Sequence, residues 1–146
     1  MDALRFLEQV EKADTITRNL LIERKQWEEL AYSITAQMGG ERVQTSGTQS
    51  KMADAVARCL DMEASIDQKV AYLAGIKLEV THTIEQLPTV YYDVLHRKYV
   101  QYQDYYDIAD AYGKDYSWAT TTHGRARHNL QRLLNEREQN AVHKKG

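Results

Sequence analysis

Apolar residues recur at alternating spacings of three and four over most of the first 87 positions. From Asp2 to Met38 there is no Gly or Pro, and Phe6, Val10, Ala13, Leu20, Trp27, Ala31, Ile34 and Met38 follow that rhythm. Thr17 and Arg24 fill two of the same heptad positions. The pattern predicts one helix ending at Gly39-Gly40, with Glu8 and Lys12 ordered as a favourable i,i+4 pair. Leu4, Leu7, Ile16 and Leu30 widen its apolar stripe beyond what one partner helix needs. A second run, from Ser50 or Lys51 to Leu87, repeats the rule at Met52, Val56, Cys59, Ile66, Val70, Leu73, Val80, Ile84 and Leu87. Glu63 and Lys77 are its polar interruptions. Each run would span roughly 55 Å at the standard helical rise, so the equal lengths predict an antiparallel helical hairpin, a coiled coil.

Between the runs lies G-G-E-R-V-Q-T-S-G-T-Q-S, Gly39 to Ser50, which has glycines and hydroxyls but no periodicity. It reads as a connector. Without a Gly-Lys-Ser/Thr ending or a preceding strand, it is not a phosphate-binding loop.

Past Pro88 the rhythm shortens. Thr89 to Gln101 predicts a short helix burying Tyr91, Val94 or Leu95, and Tyr99. Asp104 is placed to cap a second, whose inner face is Tyr105, Ile108, Ala109 and Tyr112. Gly113 can take the positive φ of a sharp turn. Asp115, with Ser117 second, is placed to cap a third helix running through Leu130, Leu133 and Leu134 before it frays into a polar, basic tail. Ala109, Gly113 and Ala119 have the spacing of a helix-turn-helix, with small residues where two helices cross. Ala119 and Thr122 then face inward, which turns Thr120, Thr121 and Gly124 outward.

These residues also carry a resemblance. Leu87-Pro88, Leu95-His96-Arg97-Lys98-Tyr99, Asp107-Ile108-Ala109 through Gly113, and Arg125-Ala126-Arg127-His128-Asn129-Leu130 resemble region four of housekeeping sigma factors, which reads the −35 promoter element. Ala119 stands where valine is usual, and Lys114 where an apolar residue is usual. The whole chain, including Gly40-Glu41-Arg42-Val43-Gln44 and Lys51-Met52-Ala53-Asp54-Ala55-Val56, resembles the small late-gene regulators of phages and prophages known as ArpU-type. The resemblance implies a phage-type transcriptional regulator that binds double-stranded DNA, and an RNA polymerase contact of the kind sigma region four makes.

The expected organisation is therefore all-α: a hairpin over 1–87 with its loop at 39–50, a helix-turn-helix head over 88–135, and a tail over 136–146. Expected DNA-binding residues are Tyr116, Ser117, Thr120, Thr121, Gly124, Arg125 and His128. The two threonines would meet base edges, while Tyr116, Ser117, Arg125 and His128 would hold phosphates. Arg127 lies nearer the packing edge of the helix.

Charge changes the picture only when divided. The net charge is −2, but residues 1–87 hold ten Lys/Arg against fourteen Asp/Glu, and residues 88–146 nine against seven. Arg125, Arg127 and Arg132 occur with no acid in 117–132. Three arginines make a modest electrostatic footprint, since non-specific affinity scales with phosphates neutralised. That modesty keeps a second function open: a module that binds polymerase or another protein without sequence-specific DNA recognition. A structural coiled coil with a vestigial head is the third.

Eight of ten tyrosines lie between Tyr91 and Tyr116. Their helical spacing assigns most to packing in a small head rather than to base stacking. Histidines at 82, 96, 123, 128 and 143 lack Cys partners and the i,i+4 spacing of a metal pair. No metal, cofactor or catalytic group is expected, and the chain does not read as an enzyme. Lone Cys59, the missing leader pattern and the missing 20-residue apolar run suit a cytoplasmic protein that engages no membrane. The wide stripe at Leu4, Leu7 and Ile16 predicts a homodimer formed through the hairpins.

Overall fold

The computed structural model describes residues 1–40 and 46–145, and among these the regular structure is all helix, without strands. Five helices follow in order: α1 (Ala3–Gly40), α2 (Ser46–Ile84), α3 (Thr89–Tyr99), α4 (Tyr105–Ala111) and α5 (Tyr116–Lys145). α1 and α2 both reach into the stretch expected as a connector. Its middle, with Arg42, lies outside the described residues. No helix among the described residues is long and apolar enough to cross a membrane.

The chain divides into two compact units: Asp14–Ala74, and Met1–Ala13 together with Gly75–Gly146. In the first, α1 and α2 run antiparallel along the heptad seam. Leu20, Cys59, Ile66 and Leu73 are buried there. Thr17, Trp27, Ala31, Ile34, Met52, Val56 and Val70 are half-buried. Arg24 occupies a seam position and reaches Asp67 at 2.8 Å, Glu28 at 3.1 Å and Glu63 at 3.3 Å. Arg24 and Glu63 are polar at core-type positions of facing helices, so only one alignment pairs them, which fixes the register. The Glu63 carboxyl is pushed above its ordinary value, first by a hydrogen bond with Glu28 and then by desolvation.

In the second unit the ends of α1 and α2 join α3, α4 and α5. One core contains Phe6, Leu7 and Val10 of α1, Val80 and Ile84 of α2, Leu95 of α3, and Ala126, Leu130 and Leu134 of α5. Leu7, expected on a strip awaiting a second chain, is fully buried in this core, while Leu4 and Ile16 are half-buried. Polar ties reinforce it. Ala3 N–H donates to Gln131 Oε1 at 2.7 Å, and the Arg137 guanidinium donates to the buried Thr83 hydroxyl at 2.9 Å. A smaller core contains Val94, Ile108, Ala109 and Ala119, flanked by Tyr105, Tyr112 and Trp118.

α2 ends at Ile84 rather than Leu87 for a local reason. The amide that would close the last turn onto the Ile84 carbonyl belongs to Pro88, which has none. Leu87 N–H takes that carbonyl instead at 3.0 Å, and Pro88 becomes the residue from which α3 starts. At the other end of the chain, α5 continues as helix through Lys145. The stretch expected to fray after Asn135 has no Gly or Pro before Gly146, so nothing in it interrupts the hydrogen-bond ladder.

Candidate nucleic-acid interface

The N-terminal half of α5 is presented by a turn held by side-chain caps and returning backbone hydrogen bonds. α4 opens on Asp104 in a reciprocal capping box: Asp104 accepts from the Asp107 amide at 2.8 Å, and Asp107 accepts from the Asp104 amide at 3.2 Å. It closes in a Schellman motif. Gly113 sits at φ +62°, Lys114 N–H returns to the Ala109 carbonyl at 2.9 Å, and Gly113 N–H to Asp110 at 3.1 Å. Asp115 then caps α5, accepting from the Trp118 amide at 2.8 Å.

α3 is locked to the same turn. Asp93 accepts from the Arg97 guanidinium at 2.9 Å and from the Tyr112 hydroxyl. Burial alone would push the Asp93 carboxyl up, but the Tyr112 and Arg97 hydrogen bonds outweigh it and hold the group below its ordinary value. Tyr112 is correspondingly pushed up to about 12, by burial and by that bond to Asp93.

Along α5 two stripes alternate with helical spacing. Ala119, Thr122, His123, Ala126, Leu130 and Leu134 are buried. Ser117, Thr121, Gly124, Arg125, His128 and Arg132 are exposed. Six of the seven expected site residues are exposed, and five of these, Ser117, Thr121, Gly124, Arg125 and His128, share that outer stripe. Thr120 is half-buried and its hydroxyl donates to the Ser117 carbonyl at 3.0 Å. A Cβ built on Gly124 would meet nothing within 4 Å, so no packing within the chain requires glycine there. Arg127 is exposed beside the stripe.

Tyr116 begins α5 and is 45% exposed. Its ring lies edge-on to Tyr105, with centroids 5.6 Å apart, and against Tyr106 at 4.8 Å. The Lys98 ammonium stands 4.2 Å over the Tyr105 ring. Tyr106 and Lys98 thus extend the aromatic and cationic surface beside the α5 N-terminus, beyond the residues expected from the sequence. The signal was available in part: Tyr106 follows an inward Tyr105, and adjacent helical residues point about 100° apart.

His123 is not part of the exposed face. It is buried between two tyrosines, with Nε2 2.7 Å from the Tyr99 hydroxyl and Nδ1 3.3 Å from that of Tyr105. Desolvation, then the charges of Lys98 and Arg127, lower its pKa to about 4, so the ring is neutral. A neutral imidazole has one donor and one acceptor. The short contact suits Tyr99 donating to Nε2, leaving Nδ1–H for Tyr105. Tyr99 itself is pushed up to about 12, chiefly by burial. Tyr91, Tyr92, Tyr99, Tyr105 and Tyr112 are all half-buried against the two cores, whereas Tyr102, Tyr106 and Tyr116 are exposed.

Tyr102 has φ +60°, a left-handed residue between α3 and α4 that no glycine signalled. Its position follows from the end of α3, where Gln101 N–H returns to the His96 carbonyl at 3.0 Å and Gln103 N–H to Arg97 at 2.9 Å.

Comparison with protein-family models, curated proteins and solved structures finds no match to the chain.

Proposed function

We propose that the chain is a phage-type transcriptional regulator that binds double-stranded DNA through a helix-turn-helix formed by α4 and α5. The observation that carries this reading is the outer stripe of α5. Ser117, Thr121, Gly124, Arg125, His128 and Arg132 are exposed in one row, and no acid interrupts α5 between Tyr116 and Asn135. A solvated helix of this protein ordinarily mixes signs, as the outer faces of α1 and α2 do. A row of small polar and cationic groups at the start of a rigidly capped helix suits a major groove, with the helix N-terminus toward the base edges. Thr121 and the Thr120 methyl meet base edges, the methyls against thymine methyls. Tyr116, Ser117, Arg125 and His128 hold phosphates and set the register. Gly124 allows the DNA backbone to approach. The likeness of the sequence to sigma region four and to ArpU-type regulators supports the same reading, and the protein acts by binding rather than by catalysis.

One observation favours a second reading. The net charge of residues 88–146 is only +2, with Asp104, Asp107 and Asp110 on or beside α4. A module that retains a polymerase contact but not operator recognition would tolerate such acids. Electrophoretic mobility shift with DNA from the chain's own genomic neighbourhood, at two salt concentrations, separates the two. The DNA-binding reading requires a salt-sensitive complex; the other requires polymerase binding without one.

A further inference from the structure

Beside the outer stripe of α5 runs a second line of residues. Tyr116, Thr120, His123 and Arg127 recur at spacings of four, three and four, so they share one side of the helix. α3 and α4 both reach this line. The Tyr105 ring meets Tyr116 and His123 with centroids 5.6 and 5.4 Å away, and the Lys98 ammonium stands 4.2 Å over the same Tyr105 ring. Arg127 comes to the same place from α5, since its charge acts on Tyr99, Tyr105 and His123.

Two cations from different helices thus crowd one neutral imidazole. Like charges brought together raise the energy of the free chain unless an anion joins them. No described residue supplies that anion, because neither Lys98 nor Arg127 is in an ion pair. The one acid whose charge reaches these rings is Glu8, the least of the influences on Tyr99. Arg97, one residue before Lys98, is by contrast neutralised by Asp93 at 2.9 Å. Arg127 is exposed and Lys98 half-buried, so an anion from outside can reach the pair.

The line also has a direction. Two residues of a helix advance about 200° around its axis, which places Arg127 on the other side of the outer stripe from Arg125. A helix lying in a major groove has a sugar-phosphate strand along each side. We infer that Lys98 and Arg127 form a second phosphate site, which holds the DNA strand along the Tyr116 side of α5 while Arg125 reaches the opposite strand. The inference rests on the DNA reading of α5 and adds to it a contact from α3, outside the helix-turn-helix pair. From Tyr116 to Arg127 the line extends about 16 Å along the axis, parallel to the stripe, so a duplex seated on the stripe brings one strand alongside it. Lys98 supplies a compact point charge there and Arg127 a planar fork, both suited to phosphate oxygens.

The test is the salt dependence of duplex binding by the full chain, followed by fluorescence anisotropy with DNA from the chain's own genomic neighbourhood. Lys98→Gln and Arg127→Gln should each bind more weakly along a slope shallower by about 1, and the two together by about 2. Lys98→Arg and Arg127→Lys, which keep the charge, should keep the wild-type slope. The wild-type chain gives a reading that no substitution can disturb: the Arg127 Nε–H resonance should shift as duplex is added, as that of Arg125 does. A paired variant with the wild-type slope, while Arg125→Ala is still shallower, overturns this inference and leaves the reading of α5 standing. So does an Arg127 resonance that stays in place while that of Arg125 moves. A wild-type chain that binds no duplex overturns both.

Discussion

The hydroxyl of Tyr99 lies 2.7 Å from Nε2 of His123, joining the last residue of α3 to the buried side of α5 across 24 positions of sequence. The same ring meets Tyr105 of α4, so one imidazole holds all three helices of the head. Its exposed neighbours on α5, Gly124 and Arg125, belong to the proposed DNA face. The placement of that face therefore depends on a polar group that must stay uncharged.

Stability should follow from this with a definite sign. The His123 pKa is lowered from 6.5 to about 4 in the folded chain. Between those values the unfolded chain binds the extra proton, so stability rises with pH across the window. The contribution is complete above about pH 6.5 and is lost as pH falls toward 4. A shift of this size corresponds to about 3 kcal/mol at most. Urea unfolding at pH 7 and pH 4.5 should show His123→Gln losing less stability on acidification than the wild type. Equal losses in both proteins would mean that His123 is not held neutral.

Gly124→Ala should act in opposite directions on stability and on binding. Nothing lies within 4 Å of the added Cβ, so the helix gains about 1 kcal/mol from alanine's propensity. If the DNA backbone closes on Gly124, affinity falls by several-fold. Thermal denaturation and fluorescence anisotropy on the same preparation check the pair of effects. Higher stability with unchanged affinity would place Gly124 away from DNA.

Residues 88–146 should not fold by themselves. Leu95, Ala126, Leu130 and Leu134 share their core with Phe6, Leu7, Val10, Val80 and Ile84, all outside that fragment. Within the full chain, Ile84→Ala should cost roughly 2–5 kcal/mol, the usual range for a large-to-small change in a closed core. Chemical denaturation of the fragment and of the variant tests both. A cooperative transition in the fragment would show that the hairpin ends are not needed by α3, α4 and α5.

Much of this arrangement was legible because it is periodic or local. Cys59, Ile66, Leu73, Val80 and Ile84 are buried where the heptads place them, and Gly113 takes its positive φ where a helix must turn. Asp104 caps α4, as a short acidic side chain before an apolar-periodic run suggests. What the pattern did not contain was which surfaces meet. The width of the α1 stripe says that Leu7 is covered, but a stripe has no label for its partner, which is the core shared with α5. His123 reads as one of two histidines among the arginines of residues 117–132. Only the tertiary placement of Tyr99 and Tyr105 makes it a buried acceptor and donor. Five of the expected interface residues follow from a helical repeat once Ala119 and Ala126 are known to face inward. Lys98 and Tyr106 come to that neighbourhood from other helices, so no spacing along α5 could have found them.

Thr121→Ala should change sequence preference without changing electrostatics. A base-edge contact contributes about 1 kcal/mol or a little more to discrimination among operator variants. Competition binding with operators altered one base pair at a time should reveal one position at which preference relaxes, with the salt dependence unaltered. A uniform loss across all variants would assign Thr121 to the backbone instead.

The most direct test of the central claim is the salt dependence of duplex binding by the wild-type chain and by Arg125→Ala, followed by fluorescence anisotropy. The wild type should bind with log K falling linearly in log salt concentration. Arg125→Ala should bind every duplex more weakly and along a slope shallower by about 1, the signature of one lost phosphate contact. A wild-type chain that binds no duplex at low salt, or a variant with the same affinity and slope, would contradict the assignment of this face of α5 to DNA.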